Sequence, residues 1–544
     1  MKAFDANGRL LPAAMTLVDA DGEREAADTV PIAASSTEVV IRISVDATDA
    51  TFPVVIDPLV TQAFWTADSD AGSSNYGWSV GPAGDVNGDG YADVIVGAYN
   101  YANGQSTEGA AFLYYGSASG LSSSPGWFVE GELSNRRLGT SVTTEGDLNG
   151  DNYGDVVVGA YTNGGGLGGA VFVWYGSQNG PTPGTTSTTP ASAHWTATPS
   201  RSPARLGWCV ATADSNGDDY DDVIASAHCY GNGQTYEGAA FLWFGSAAGL
   251  SGGAATSNTD AANWSYESNV TNQYWGRSVA SAGDVNGDSY DDIVVGAYEW
   301  ESGQTNEGAA FVFHGSSTGP SVSPSWRAET NQADAIMAMY KCQGADFNGD
   351  GYSDVAIPAG SYDAGQTNEG AIFVWYGSGT GLGADGNPTN VDWMAQSDQV
   401  DGYLQEISAG DFNDDGYADL AAGAFGYDGA VGNEGAVFVW FGSGTGLGPG
   451  NGTPANADWS VIGDQQDARF GISVAKGNVN NDGPDELIVG ADMYDNEQTD
   501  EGRAYAFAVS GPLIPEPSSL VLLGAMIIAA AAFVLLRRRA SANS

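Results

Sequence analysis

Aspartate and asparagine recur at fixed offsets along this chain. In the stretch DVNGDGYADV, residues 85–94, Asp85, Asn87, Asp89 and Asp93 occupy positions 1, 3, 5 and 9, with the backbone carbonyl of Tyr91 at position 7. Alternate residues of a tight loop can turn their oxygens inward, and Gly88 and Gly90 admit the positive φ that such a loop requires. Hard oxygen donors in this number suit Ca²⁺, which takes about six to eight oxygens in a flexible shell. Three carboxylates crowded together without a cation would repel one another. A helix–loop–helix calcium site needs a bidentate glutamate at position 12, and Val96 stands there, inside an apolar run. The loop therefore closes on Asp93 and leads into a hairpin.

Five further copies keep the full donor set: Asp147, Asn149, Asp151, Tyr153 and Asp155; Asp214, Asn216, Asp218, Tyr220 and Asp222; Asp284, Asn286, Asp288, Tyr290 and Asp292; Asp346, Asn348, Asp350, Tyr352 and Asp354; Asp411, Asn413, Asp415, Tyr417 and Asp419. The seventh copy, 478–486, offers Asn478, Asn480, Asp482 and Glu486, with Pro484 at position 7. Calcium is expected in about six loops, and tight binding is not expected in the seventh. Asp-Asn-Gly loops also make good hairpin turns on their own. Six copies with fixed acid spacing favour the metal reading.

The elements that must hold these loops follow from the repeat. The first positions of successive copies lie 62 to 70 residues apart, and other landmarks keep step. A short apolar segment precedes each loop, as in YGWSV (76–80) and FGISV (470–474), and another follows, as in VIVGAY (94–99). After a polar loop comes EGAAFLYYGS (108–117), echoed by EGAAFLWFGS (237–246), and a Trp-led segment closes the unit. Each unit reads as four short strands rich in Val, Ile and aromatic residues, punctuated by Gly, Asn and Asp. Nothing in these units has helical period. Seven four-stranded units predict an all-β, seven-bladed β-propeller over 62–511. The seventh unit lacks a Trp-led strand, and an unclaimed one, FWTADSD (64–70), precedes the first. Trp65 is therefore expected to supply the outer strand of the last blade and close the ring.

Bulk composition agrees. The formal net charge is −50, from 17 Lys and Arg against 67 Asp and Glu, which argues against a nucleic-acid partner. The acids are interleaved with Val, Ile and aromatic residues, unlike a solvated acidic tail. Cys209 and Cys229 flank one hairpin of the third repeat; they are either cross-strand disulfide partners or two buried thiols, and Cys342 stays unpaired. His194, His228 and His314 show no metal-ligand spacing and are read as structural.

These motifs resemble the FG-GAP repeats of the integrin α-subunit propeller and its bacterial relatives, over about 450 residues from Phe64 to Gly511. The resemblance implies that the acidic loop joins the first two strands of each blade and binds calcium. The final Pro of the family's GAP is replaced by Tyr99, Tyr161, Tyr298 or Phe425, and the fifth and sixth copies carry MAMYKC and GYLQEI where FG is expected. Those departures concern local strand geometry.

Calcium so placed is structural, and function is expected on the opposite rim. There the loops between second and third strands, such as NYANGQSTEG and YEWESGQTNEG, offer Tyr, Trp, Asn, Gln and Glu to a sugar or a protein. Shared descent of the blades explains the likeness of these loops equally well.

The two ends differ from the repeats. Residues 512–544 combine IPEPSS, an apolar run 520–536 and Arg537-Arg538-Arg539. The run is at the lower limit for a transmembrane helix, and the arginines place the propeller outside. The segment resembles the bacterial PEP-CTERM sorting signal, which implies an exosortase-type processing enzyme and at least transient membrane anchoring. Residues 1–60 lack the features of a secretory signal. They read as the tail of an N-terminal β region, with strands at 37–45 and 50–60, so the chain is expected to begin inside a longer reading frame.

Three functions compete. The first is an exported, calcium-stabilised cell-surface binding or adhesion propeller, non-catalytic, for an extracellular glycan or protein ligand. The second is a propeller-based hydrolase or lyase acting on extracellular polysaccharide. The third is a structural matrix or envelope component. No nucleophile–base pair or paired carboxylates stand out from the repeat loops, and fold alone assigns no activity.

Overall fold

The computed structural model describes residues 63–509, apart from 165, 182–186, 251–256 and 449, and the backbone of short strands between 2 and 57. The chain divides into two compact units, of which residues 61–509 form one. In the other, Ala13–Asp19 pairs antiparallel with Val39–Val45, and Lys2–Phe4 lies between Leu10–Leu11 and Val55–Asp57. The expected sorting signal over 512–544, with its apolar run 520–536, lies outside the described residues. Among the described residues, no helix is long and apolar enough to cross a membrane.

Residues 63–509 form a seven-bladed propeller. In blade 1 the strands Tyr76–Gly84, Asp93–Ala98, Ala110–Tyr114 and Trp127–Glu130 pair antiparallel in chain order. The second and third strands are buried along their whole length. Each blade is covered on both faces by its neighbours, so continuous apolar runs are favoured there over alternation. The fourth strand alternates: Trp127 and Val129 are buried while Phe128 and Glu130 are half-exposed.

Blade 7 is completed from the other end of the unit. Trp65–Asp68 pairs antiparallel with Arg503–Ala508, matching Trp65 to Ala506 and Asp68 to Arg503. Asp68 and Arg503 also form an ion pair at 3.1 Å. This is the closure expected from the stray Trp-led strand.

Aromatic pairs join the blades. The tryptophan that opens each fourth strand meets an aromatic ring at the end of the next blade's third strand: Trp127 with Trp174, Trp195 with Trp243, Trp264 with Phe313, Trp326 with Trp375, Trp393 with Trp440 and Trp459 with Phe507. The circle closes where Trp65 meets Tyr114 of blade 1 edge-on, with centroids 4.9 Å apart. Such pairs contribute about 0.5–1.5 kcal/mol each beyond the area they bury.

Two details depart from the sequence reading. Blades 1 and 2 carry a fifth strand, since Ser187–Thr188 and Ser257–Asn258 add in parallel to Trp127–Glu130 and Trp195–Thr198. In blade 5, where FG is missing, the first strand shrinks to Gln343–Ala345. Cys209, Cys229 and Cys342 are all buried free thiols, which resolves the alternative left open for Cys209 and Cys229.

Candidate functional site

The first strands of the blades line a central channel. Antiparallel pairing places the acidic hairpins at one mouth and the loops between second and third strands at the other.

The acidic loops share one architecture. Asp85 Oδ1 accepts hydrogen bonds from the Gly88 and Asp89 N–H groups at 2.6 and 3.1 Å, and its Oδ2 accepts from Gly90 N–H at 2.8 Å. Asp147, Asp214, Asp284 and Asp346 repeat this cradle, and Asp411 keeps its contacts to Asp415 and Gly416. The position-5 aspartates accept from position 7, as Asp89 does from Tyr91 N–H at 3.1 Å. The position-3 asparagines accept from position 5 in five of these loops, as Asn87 does from Asp89 N–H at 2.9 Å. Asn216 is the exception: its Oδ1 is buried without a partner.

Position 9 acts over a longer range. Asp93, fully buried, accepts from Val86 N–H and from Gly116 N–H, both at 2.9 Å. Asp155, Asp222, Asp292, Asp354 and Asp419 make the same two contacts, to Gly176, Gly245, Gly315, Gly377 and Gly442 in turn. This explains the recurrent Gly-Ser after each third strand, whose role the sequence reading missed. Burial pushes the Asp93 carboxyl up to about 8, and the nearby Asp85 and Asp89 charges add to the rise. Asp155 and Asp419 are likewise pushed to about 8, and Asp292 and Asp354 to about 7.

The position-7 tyrosines work across blades. Tyr153 packs against Gly88 of the preceding loop, and Tyr220, Tyr290, Tyr352 and Tyr417 do the same to Gly150, Gly217, Gly287 and Gly349. Only their carbonyls had been assigned a role from sequence.

The donor chemistry fits a hard divalent cation: each loop offers carboxylate and amide oxygens, and burial, with the neighbouring aspartates, raises the position-9 carboxyl. Among the described residues, no group of three or more His, Cys, Asp or Glu side chains is gathered as a metal site. The seventh loop is built differently. Glu486 accepts from Val479 N–H at 2.9 Å and from Asn480 Nδ2 at 2.7 Å, while Asn478 Nδ2 donates to the Gly483 carbonyl. Its position-9 acid is bonded to its own position-3 amide.

On the opposite rim the glutamates are not free to meet a ligand. Glu108, Glu237, Glu307, Glu369, Glu434 and Glu501 are buried. All but Glu501 accept from the backbone of their own loops: Glu434 accepts from Gly429, Val431 and Gly432 N–H at 2.7, 2.6 and 2.9 Å. Glutamines clamp neighbouring blades, as where Gln332 Nε2 donates to the Asp363 carbonyl and Gln332 Oε1 accepts from Asp363 N–H.

What the rim leaves half-open is aromatic and cationic. Tyr99, Tyr161, Tyr298 and Phe425, which replace the family's Pro, stand around the channel mouth with Trp78 and Trp208. The Arg137 guanidinium lies 5.6 and 5.5 Å from the Tyr99 and Tyr161 rings, and that of Arg205 5.7 Å from Tyr161. Arg277 sits 4.0 Å above Trp208 and 5.6 Å from Tyr298; Arg469 sits 5.2 Å from Phe425. The sequence reading missed these arginines.

Comparison with known proteins agrees with this architecture. Residues 76–114, 275–313, 343–375, 405–440 and 470–507 match the FG-GAP repeat. The chain is 30% identical to integrin alpha-PS2 of Drosophila melanogaster over 175 residues, covering 29% of this chain and 12% of that protein. It is 33% identical to phosphatidylinositol-glycan-specific phospholipase D of Bos taurus over 186 residues, 34% of this chain and 21% of the relative. Against the Homo sapiens protein of the same name the identity is 31% over 221 residues, 40% and 24% of the two chains. The matches thus span a quarter or less of each relative's length. Repeats and relatives together support an integrin-like β-propeller.

Proposed function

We propose that this propeller is a calcium-stabilised binding or adhesion module of the cell surface or extracellular space, non-catalytic, which recognises a glycan or protein ligand. The observation that carries this reading is the contrast between the two rims. At one, a single acidic hairpin design recurs in blade after blade and ties each loop to its own third strand through position 9. At the other, half-open aromatic rings encircle the channel mouth. Calcium, when bound, would neutralise the crowded carboxylates. Asp85, Asn87, Asp89, Asp93 and their repeats would hold it and so fix each hairpin. The C-terminal segment belongs to the same proposal, as a sorting signal read by an exosortase-type enzyme and a membrane anchor.

A second reading, a hydrolase or lyase, draws support from the relatives named as phospholipases D. A glycan array and a panel of glycosidase, lyase and phospholipase assays on the full-length chain separate the two. Binding without turnover is expected. Turnover of any substrate class overturns the non-catalytic reading. Concentration-dependent self-assembly with no discrete ligand favours a structural matrix component.

A further inference from the structure

The chain carries 67 acidic against 17 basic side chains, so a guanidinium without a carboxylate partner is unexpected on composition alone. Arg137, Arg205 and Arg277 form no ion pair among the described residues. Arg137 donates to the neutral Asn100 Oδ1, at 3.0 Å, and Arg205 Nε is buried without a partner. Arg277 has aromatic neighbours in Trp208 and Tyr298 but no carboxylate at salt-bridge distance. Arg137 and Arg205 lie 5.5 and 5.7 Å from the Tyr161 ring, and Arg277 lies 4.0 Å from Trp208, whose ring is 4.7 Å from that of Tyr161.

Beside these rings is a depression of about 80 Å³ lined by Trp78, Tyr99, Arg137, Thr140, Tyr161 and Trp208. Nearby carboxylates have partners of their own: Glu299 lies against the Tyr298 hydroxyl. Arg469 is paired with Asp492 at 3.3 Å. Glu406, deeper in the channel, lies near both Lys341 and Arg277, and burial pushes its carboxyl up. Guanidiniums backed by aromatic rings keep their outward donors for a planar anion.

We propose that this mouth is a carboxylate-binding site for the terminal uronate of an acidic polysaccharide. The proposal rests on the binding function put forward above and names its ligand class. A uronate carries its carboxylate on a rigid ring and enters a small depression with little ordering cost, whereas an acidic peptide must immobilise flexible side chains. Across the ring the same rim carries exposed carboxylates, Asp334, Asp363, Asp401 and Asp428, in the loops of blades 5 and 6. A long polyanion laid flat would be repelled, so recognition is end-on.

Calorimetry on the full-length chain tests this with tetragalacturonate, digalacturonate, fully methyl-esterified tetragalacturonate and hexaglutamate. The two free acids are expected to bind within about threefold of each other, the ester at least tenfold more weakly, and added salt to weaken binding. Arg137→Gln with Arg277→Gln should lose at least tenfold with an unchanged melting temperature. Arg277→Lys, which keeps the charge but not the planar fork, should fall between. Equal binding of the ester, tighter binding of hexaglutamate, or no binding of either free acid overturns the inference. A neutral glycan captured on the array while both uronides fail would overturn this inference and leave the binding function standing.

Discussion

Asp414 stands beside Gly483 of the next loop, its Oδ2 3.0 Å from where a β-carbon on that glycine would sit. This is the junction between the sixth and seventh loops, where Pro484 replaces the tyrosine found at position 7 elsewhere. In the five preceding junctions a tyrosine ring crosses to a position-4 glycine at φ near +70°. Asp414 takes the same left-handed conformation, φ +59°, which aspartate tolerates better than most residues. The glycine is thus required by its neighbour's ring as much as by its own backbone.

Gly349→Ala should therefore destabilise the protein by about 1–3 kcal/mol, from the left-handed backbone and the overlap of an added β-carbon with Tyr417 Cε1 together. Asp414→Gly should be close to neutral. Urea denaturation of both variants checks the contrast, and equal losses would show that the crossing ring is irrelevant.

Excess chelator is expected to lower the melting temperature markedly if calcium occupies the acidic loops, since ligand binding to the folded state adds stability by mass action. Asp93→Ala should reduce the metal content of the purified protein by about one ion, whereas Asp482→Ala in the seventh loop should leave it unchanged. Elemental analysis with a calorimetric melt reads both. An unchanged melt with no metal in the protein would remove the calcium proposal.

Glu434 gives a prediction away from those loops. Burial alone would raise its carboxyl, but hydrogen bonds from Val431, Gly429 and Gly432 outweigh it and hold the group below its ordinary value. A depressed folded pKa means that the stabilisation is present above the unfolded value and fades as pH falls through the folded one. Amide exchange at Gly429, Val431 and Gly432 should accelerate on acidification below about pH 4.5. Glu434→Gln should cost about 1–3 kcal/mol, because an amide nitrogen then faces an N–H donor. The variant's loop should also lose the acid dependence.

Trp65→Ala removes the blade-closing ring and its Nε1 hydrogen bond to the Ser122 carbonyl at 2.9 Å. A loss of about 3–5 kcal/mol is expected, the range for deleting a buried tryptophan. A loss near zero in equilibrium unfolding would mean that closure does not hold the propeller together.

The ring was legible because its signals are periodic: a fixed-spacing acidic loop, Trp-led strands and one strand out of place at Trp65. What the sequence hid depends on neighbours brought together only by closure. Arg137, Arg205 and Arg277 lie in different blades, and in a chain of −50 charge they read as scattered minority residues. Glu108 and its repeats sit in polar loops and look available to a ligand, yet all are buried and all but Glu501 are held by the backbone beside them. The fourth blade shows why local pattern misleads. Tyr274 takes the left-handed position that Arg137 and Arg205 occupy in blades 2 and 3, and the cation moves to Arg277.

The paired strands Trp65–Asp68 and Arg503–Ala508 also set how the propeller bears load. Because Trp65 faces Ala506, Phe64 and Val509 leave the sheet at the same end of the pair. Tension applied between them peels the strands apart one hydrogen bond at a time instead of shearing them together. The seam should therefore yield at low force and before any other blade. Pulling through a single attachment loads no strand pair of the ring in this way.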